Sequence, residues 1–496
     1  MHRDHTSMGD RMTDRDTEAT EALLDPPAEP QAPSGGTLRA LVRDAVRGGH
    51  EHDYTEGPVG RAVLLLSVPM VLEMVLESVF AVVDIFWVSR LGADAVAAVG
   101  LTESLLTLVY ALAMGLAIGA TAVVARRIGE KDPEAAAVAA VQALVLAVLV
   151  SVVLGTAGVL LAPRLLALMG ASPAVLDVGL GYAQVLLGGE AAIIVLFVVN
   201  AVFRGAGDAA IAMRVLWLAN AINIILGPLL IFGVGPFPEM GVTGAAVATT
   251  VGRSIGALFA VSRLFGRASR VPVRLRSVRL DFGVMRQIVR LALSASLQNV
   301  VGMASWVGLV RILAGFGSGA LAGYTIAVRV IVFALLPSWG LSNAAATMVG
   351  QSLGARKPKR AEEAVRRAGL YNMVFLSAVG LVFALATEPL VGAFTGDPEV
   401  RAYAVRCLRL VALGFPFYAW GMVLTQSFNG AGDTWTPTWL NFLCFWLLEI
   451  PLAWVLAGPL GLGPTGVFLA ITTAFSTLAV ASWMVFRRGR WKTRVV

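Results

Sequence analysis

The sequence predicts an all-α polytopic membrane protein with twelve transmembrane helices in two homologous six-helix bundles. Of its 496 residues, 57% are hydrophobic and only 14% are charged, and the mean hydropathy is +0.76. Such a composition is far more apolar than that of a soluble domain. About twelve apolar runs are long enough to cross a bilayer as helices. The second half of the chain also repeats motifs of the first half.

Residues 1–57 form a polar segment before the first apolar run. The segment is rich in Asp, Glu, Thr, Pro and Arg and has no signal-peptide core, so we expect a disordered cytoplasmic tail. An amphipathic piece at residues 37–46 is expected to lie on the membrane surface. All four histidines precede the first apolar run, which argues against an intramembrane histidine centre. Cys407 and Cys444 lie inside apolar runs and suggest no disulfide framework.

The apolar runs predict the membrane spans in chain order. Strands are excluded, because a membrane barrel alternates polar and apolar residues. The first six runs are 62–86, 95–121, 136–161, 178–202, 209–233 and 241–264. The second six runs are 285–313, 320–347, 366–386, 403–427, 436–458 and 464–486. The predicted domains are an N-terminal bundle at 58–264, a linker at 265–284, a C-terminal bundle at 285–486 and a basic tail at 487–496.

Basic residues concentrate in alternate loops between the runs. Lys and Arg follow the second, sixth, eighth and last runs, whereas the intervening loops are nearly bare of them. Cytoplasmic loops carry such an excess, so we expect both termini and the linker at 265–284 to be cytoplasmic. We expect the protein in the inner membrane of a bacterial cell. The basic residues of these loops account for the net charge of +7. We therefore expect no nucleic-acid partner.

A glycine-rich hexapeptide marks the internal repeat. The letters FRGAGD at 203–208 correspond to FNGAGD at 428–433. Because each half holds six spans, both halves enter and leave on the same side, and the axis that relates them runs along the membrane normal. Such a parallel repeat suits alternating access around a central cavity. The hexapeptides lack the lysine and the strand of a phosphate-binding loop, so we interpret them as turns between helices.

Three acids share one face of the first run. At about 100° per residue, Glu73, Glu77 and Asp84 fall within roughly 40° of one another. A charge near the middle of the membrane costs at least about 2.5–3.5 kcal/mol, and intramembrane acids usually mark a functional site. We therefore interpret these acids as coupling-ion and substrate residues. The alternative is that they pair structurally with neighbouring helices.

The remaining intramembrane charges differ between the two halves. Glu103 and Glu190 add to the acids of the first half, whereas the second half has Glu449. Glu190, in the fourth run, is a further candidate for the coupling site, which we expect in the N-terminal bundle. Arg329 in the second half could either neutralise Glu449 or face the substrate.

Four stretches resemble the multidrug and toxic compound extrusion (MATE) family. They are SVP at 67–69, DIFWVSRLG at 84–92, FRGAGD at 203–208 and GVTGAAVAT at 241–249. The resemblance covers about residues 60–486, in the order and with the twelve-helix count of the family. It implies cation-coupled export of organic, often cationic, compounds by a V-shaped pair of bundles.

Within the family, the chain is most similar to the DinF-like branch. The branch has an acid in the first helix, which corresponds to Asp84 here. Its asparagine in the fifth helix corresponds to Asn223, and a threonine in the sixth corresponds to Thr249. The branch has an acid four residues after the asparagine, where this chain has Gly227. A sodium site would need several oxygen ligands and would use Asp84 and Asn223. A proton needs only one titratable acid, so H⁺ is favoured over Na⁺.

These observations predict an antiporter that exports cationic or amphipathic organic compounds, coupled to H⁺ or Na⁺. We expect it to work as a monomer in the lipid bilayer, without a cofactor or a metal centre. The alternative is a lipid-linked oligosaccharide flippase of the same superfamily, which would favour basic residues along its cavity, whereas the N-terminal bundle is acidic. A membrane enzyme such as a prenyl transferase would need Asp-rich metal motifs, which the sequence lacks.

Overall fold

A computed structural model describes residues 38–48, 52–266 and 269–494. Within these ranges every regular element is a helix, which confirms the all-α prediction. Of the tail predicted at residues 1–57, residues 1–37 and 49–51 lie outside the described residues, whereas residues 38–48 and 52–57 belong to the described part. Helix α1, Leu38–Arg47, covers the piece predicted to be amphipathic.

The first half of the chain folds into seven long or medium helices. Their bounds are α2 Val59–Val88, α3 Ala93–Gly129, α4 Pro133–Leu168, α5 Pro173–Gly188, α6 Glu190–Ala206, α7 Ala209–Phe232 and α8 Gly241–Leu264. Short 3₁₀ turns follow α2 at Ser89–Leu91 and precede the second half at Leu275–Ser277.

The second half repeats this order. Its bounds are α9 Phe282–Ala314, α10 Ser318–Gly354, α11 Pro358–Gly392, α12 Pro398–Ala412, α13 Phe415–Gly430, α14 Trp435–Asn441, a π-helix at Phe442–Glu449, α15 Ile450–Ala457 and α16 Pro464–Arg487. A 3₁₀ turn at Arg490–Thr493 follows. In the described part of the chain, ten spans are long and apolar enough to cross a membrane, and two bent helix pairs bring the number to twelve. The predicted number of spans is confirmed.

Several spans begin where a capping residue precedes proline. The Asp132 carboxylate accepts a hydrogen bond from Ala135 N at 2.9 Å, and the Ser172 hydroxyl accepts one from Val175 N at 3.3 Å. Asp397 caps α12 in the same way, through Val400 N at 3.1 Å. In each case the next residue is a proline, whose missing N–H costs nothing in the first turn of a helix.

The fourth and tenth spans are broken, although the sequence predicted each as one run. The pairs α5–α6 and α12–α13 bend by 41° and 60°, at the repeat-related residues Gly189 and Gly414. A Cβ on Gly189 would lie 2.6 Å from the Thr250 methyl carbon, so only glycine fits this contact with α8. In the tenth span, Pro416 follows the break and lacks the N–H that would continue the helix.

The two bundles contact each other through repeat-related glycines. A Cβ on Gly115 of α3 would lie 2.6 Å from Ala292 O of α9, and one on Gly340 of α10 would lie 2.6 Å from Met70 O of α2. These contacts lie in the halves of the helices that adjoin the basic loops. At the other ends, Gly100 and Gly302 face open space. The bundles are therefore in close backbone contact at the basic-loop end, whereas Gly100 and Gly302 make no such contact towards the opposite end.

The segment at residues 52–58 lies across the closed end and joins loops of both bundles. Arg360 Nε, from the second half, donates to Tyr54 O at 2.9 Å, and Lys357 Nζ donates to Thr55 O at 3.0 Å. Lys131, from the first half, lies 3.6 Å from the Asp53 carboxylate. The segment thus connects the two bundles on this side, through backbone hydrogen bonds to the second half and an ion pair to the first half.

Candidate functional site

Glu73 is buried in an ion pair that joins two helices of the N-terminal bundle. Its Oε1 accepts a hydrogen bond from Arg204 Nη1 at 2.7 Å, and its side chain is 2% exposed. Arg204 belongs to the FRGAGD hexapeptide at the end of α6. A folded protein tolerates a buried ionised side chain when a group of opposite charge is paired with it. For Glu73, the structure shows the pairing that was the alternative to a transport role.

Glu77 belongs to a second polar network, which joins α2 to α7 and α8. Its Oε1 accepts from Arg253 Nη2 at 3.1 Å, and its Oε2 accepts from Asn220 Nδ2 at 3.0 Å. Arg253 is buried, whereas the Glu77 side chain is 27% exposed. Glu77 therefore remains partly exposed while it neutralises Arg253.

Asp84 differs from the other two acids because it has no direct partner among the described residues. Within the described residues its carboxylate makes no hydrogen bond and no ion pair, although its side chain is half-buried. Glu103 of α3 and Arg253 of α8 lie close enough to act on it electrostatically, with opposite signs. An acid in such a position is free to take up a proton or another cation.

Asn223 and Thr249 are brought together, as their resemblance to family residues implied. Asn223 Nδ2 donates to Thr249 Oγ1 at 2.6 Å, and the threonine hydroxyl donates to Ala245 O at 3.0 Å. Asn223 lies one helical turn from Asn220, which contacts Glu77. A Cβ on Gly227 would have the Asn223 Oδ1, at 3.9 Å, as its nearest neighbour. The position of Gly227, where the family branch has its second acid, therefore carries no side chain and has free space next to it.

Glu190 lies apart from these networks. It begins α6 directly after the break at Gly189, is 1% exposed and has an Oε2 without a hydrogen-bond partner. The described residues show no ion pair or side-chain hydrogen bond between Glu190 and the other candidate residues. Its assignment to the coupling site remains a prediction from the sequence.

Sequence reasoning missed Arg253 and the tyrosines around the site. Arg253 contacts Glu77 and lies 5.7 Å from the Phe80 ring centroid. Tyr110 and Tyr182 are buried or half-buried electrostatic neighbours of Asp84. A lone arginine in the middle of the apolar run 241–264 was a signal, since an intramembrane base needs an acid nearby. Nothing comparable in the sequence marked Tyr110 and Tyr182 as neighbours of the site.

The structure settles which acid Arg329 faces. Arg329 of α10 lies within electrostatic range of Glu103 of α3, and both side chains are exposed. Within the described residues it makes no ion pair with Glu449, so the first of the two alternatives for Arg329, neutralisation of Glu449, is not found there. Arg329 and Glu103 occupy nearly equivalent repeat positions and face each other across the two bundles.

Sequence comparisons assign a family. A model described as MatE matches residues 69–229 and 291–455. The chain is 27% identical over 442 residues to a probable multidrug resistance protein NorM of Thermotoga maritima, covering 88% of this chain and 94% of the relative. It is 26% identical to an FAD transporter of Shewanella oneidensis, covering 88% and 96%. A multidrug export protein MepA of Staphylococcus aureus is 22% identical over 87% of this chain and 94% of its own length.

Solved structures share the whole fold. An outward-facing multidrug resistance MATE family transporter of the MOP superfamily superposes with a TM-score of 0.83 at 27% identity, covering 89% of this chain and 98% of that one. A MOP superfamily transporter from Pyrococcus furiosus has the same TM-score, identity and coverage. The matched segments include α2, which carries the three acids, and both halves of the repeat. The chain therefore belongs to the MATE family, and it is a polytopic membrane transporter rather than an enzyme.

Proposed function

We propose that the protein is a cation-coupled antiporter that exports cationic or amphipathic organic compounds, and that Asp84 is its coupling residue. The observation that carries this proposal is the absence of a direct partner for Asp84 within the described residues, while Glu73 and Glu77 are paired. A carboxylate in low-dielectric surroundings can exchange protons near neutral pH. Protonation of such a group would also weaken its attraction for a cationic substrate.

The proposed coupling ion is H⁺, and the proposed location is the N-terminal bundle. Among the described residues, no three His, Cys, Asp or Glu side chains form a metal-binding group. Sodium would therefore need neutral oxygens, such as those of Asn223 and Thr249, in addition to the Asp84 carboxylate. The acid that would complete such a site is replaced by Gly227. A proton requires Asp84 alone.

The proposed substrate class rests on the acids and on the relatives. Asp84 and the exposed Glu103 give this part of the N-terminal bundle a negative character, which favours cations. Relatives described as multidrug resistance proteins and as an FAD transporter support small organic substrates. We further propose the DinF-like branch, a bacterial inner membrane location, cytoplasmic termini and a monomeric state. The closed basic-loop end would then correspond to an outward-open state.

The test of this proposal is efflux of a fluorescent organic cation from proteoliposomes. Wild-type protein should respond to an imposed pH gradient at zero sodium, and Asp84→Asn should lower the ion-driven rate at least tenfold. Asp94→Asn, an exposed acid in the first turn of α3, is the matched control and should transport normally. Full activity of Asp84→Asn would refute the assignment. A sodium gradient that drives efflux at constant pH would refute proton coupling.

A further inference from the structure

Glu449 is the most deeply buried acid of the C-terminal bundle. Its side chain is 0% exposed, and neither of its carboxylate oxygens has a hydrogen-bond partner within the described residues. An isolated ionised carboxylate in such a place carries a desolvation cost that no neighbour offsets. In this position the group is stable only when a cation neutralises it.

The surroundings of Glu449 favour a proton as that cation. Tyr324, Tyr418 and Cys444 are its polar neighbours within electrostatic range, and the Tyr418 hydroxyl already donates to Ile471 O at 3.4 Å. These neutral groups offer too few oxygen ligands for a metal ion.

No basic side chain among the described residues neutralises Glu449 in place of a proton. On α9, the helix that contacts Ile450 through Gly308, Arg311 is exposed and forms no ion pair with Glu449 within the described residues. Arg329 faces Glu103 instead. On α16, which also packs against the π-helix, basic residues occur only at the end, at Arg487.

The backbone at Glu449 is irregular. Glu449 ends the π-helix at Phe442–Glu449, and such segments are frequent at functional sites. Pro451 follows two residues later and has no N–H to donate to the preceding turn. Regular α-helical hydrogen bonding is therefore interrupted next to the acid.

The internal repeat relates Glu449 to the predicted site of the other bundle. A Cβ on Gly244 would lie 2.6 Å from the Leu230 backbone, and a Cβ on its counterpart Gly466 would lie 2.6 Å from the Leu456 backbone. Leu230 comes seven residues after Asn223, and Leu456 comes seven residues after Glu449. Glu449 thus occupies a position along its helix in the C-terminal bundle that corresponds to the position of Asn223 in the N-terminal bundle.

From burial, missing partners and this equivalence, we infer that Glu449 is a second proton-binding site of the transporter, in the C-terminal bundle. It holds its proton as a neutral carboxylic acid at neutral pH. This site is additional to Asp84, so it stands or falls independently of the proposed coupling residue.

Infrared spectroscopy of the reconstituted full-length protein tests this inference without a transport assay. At neutral pH, the wild-type spectrum should contain a protonated-carboxyl band that Glu449→Gln removes. Glu388→Gln is the control, because Glu388 is exposed and paired with Arg409 at 3.4 Å, and it should leave the band unchanged. If Glu449→Gln does not assemble, Glu449→Asp keeps the acid on a shorter side chain and should shift the band. An unchanged band in the variant that assembles overturns the inference.

Unfolding in detergent gives a second readout. A folded protein that holds a proton which the unfolded chain has lost becomes less stable as the pH rises. For one proton, the unfolding constant of the wild type should rise by about tenfold per pH unit relative to that of Glu449→Gln. This slope holds above the pKa of an unfolded glutamate, about 4.3, for as long as folded Glu449 keeps its proton. Identical pH dependence of the two proteins would show that Glu449 carries no proton, and would refute the site.

Discussion

At the scale of single residues, three acids on one face of α2 have three different environments. Glu73 is closed into a buried ion pair, Glu77 shares its charge between two helices, and Asp84 has no direct partner within the described residues. The helical period of the sequence predicts that all three acids share one face, but it does not reveal their partners on other helices. Which of them is free depends on the bases that α6 and α8 supply, Arg204 and Arg253.

The Glu73–Arg204 pair should matter for stability rather than for ion coupling. Glu73→Gln leaves the guanidinium of Arg204 buried without its counter-charge, and breaking a buried pair costs about 3–5 kcal/mol. We expect a clear loss of thermal stability in detergent, while the protein that remains folded keeps the ion dependence of the wild type. The double variant Glu73→Gln/Arg204→Gln should recover part of the stability. A Glu73→Gln protein of normal stability with altered ion dependence would instead place Glu73 in the coupling site.

At the scale of elements, glycines decide how closely the helices of the two bundles approach. Gly115 and Gly340 are repeat-related, and each allows its helix to touch the backbone of a helix in the other bundle. The same holds for Gly129 and Gly354 near the ends of α3 and α10, where a Cβ would overlap Gln351 O and Arg126 O. These contacts form only when the basic-loop end is closed.

Adding a methyl group at such a glycine should therefore favour opening of that end. Overpacking costs about 1–3 kcal/mol, which corresponds to a population shift of roughly 5- to 150-fold. We expect Gly340→Ala to lengthen distances between spin labels placed on the two bundles at the basic-loop end. Gly100→Ala is the control, because a Cβ there would meet nothing within 4 Å. Equal distance distributions in the two variants would mean that this contact does not set the conformation.

At the scale of the whole molecule, the closed end gathers the basic loops, the segment at residues 52–58 and the C-terminal turn. Arg126 Nη2 donates to Arg494 O at 2.5 Å, and Arg494 lies 3.2 Å from the Asp433 carboxylate. Contacts from both ends of the chain thus stabilise the same side of the protein. If this side is cytoplasmic, as the basic residues predict, the proposed export releases substrate on the opposite side.

Cysteine labelling in intact cells tests the orientation of the whole molecule. Ser269→Cys in the linker and Ser318→Cys at the start of α10 are introduced singly into a Cys407→Ala/Cys444→Ala background. An impermeant thiol reagent should label Ser318→Cys from outside and Ser269→Cys only after permeabilisation, since Ser269 lies in the basic linker. The reverse pattern would invert the topology and the direction of transport with it.

Hydropathy, the helical period and the internal repeat determined the spans, their number and the acidic face of α2. These are local properties of the chain, because membrane insertion and helix formation depend on neighbouring residues. The breaks at Gly189 and Gly414 were not predictable in this way, because an apolar run looks the same whether its helix is straight or bent.

Only the tertiary structure decided which acids are paired. Charges on different helices meet according to the faces that pack together, and neither hydropathy nor period specifies those faces. Arg204 therefore neutralises Glu73, Arg253 neutralises Glu77, and Arg329 faces Glu103 rather than Glu449. Asp84 and Glu449 have no ionic partner in the described part of the chain, because the packing directs the bases elsewhere. Arg253 lies within electrostatic range of Asp84 but pairs with Glu77.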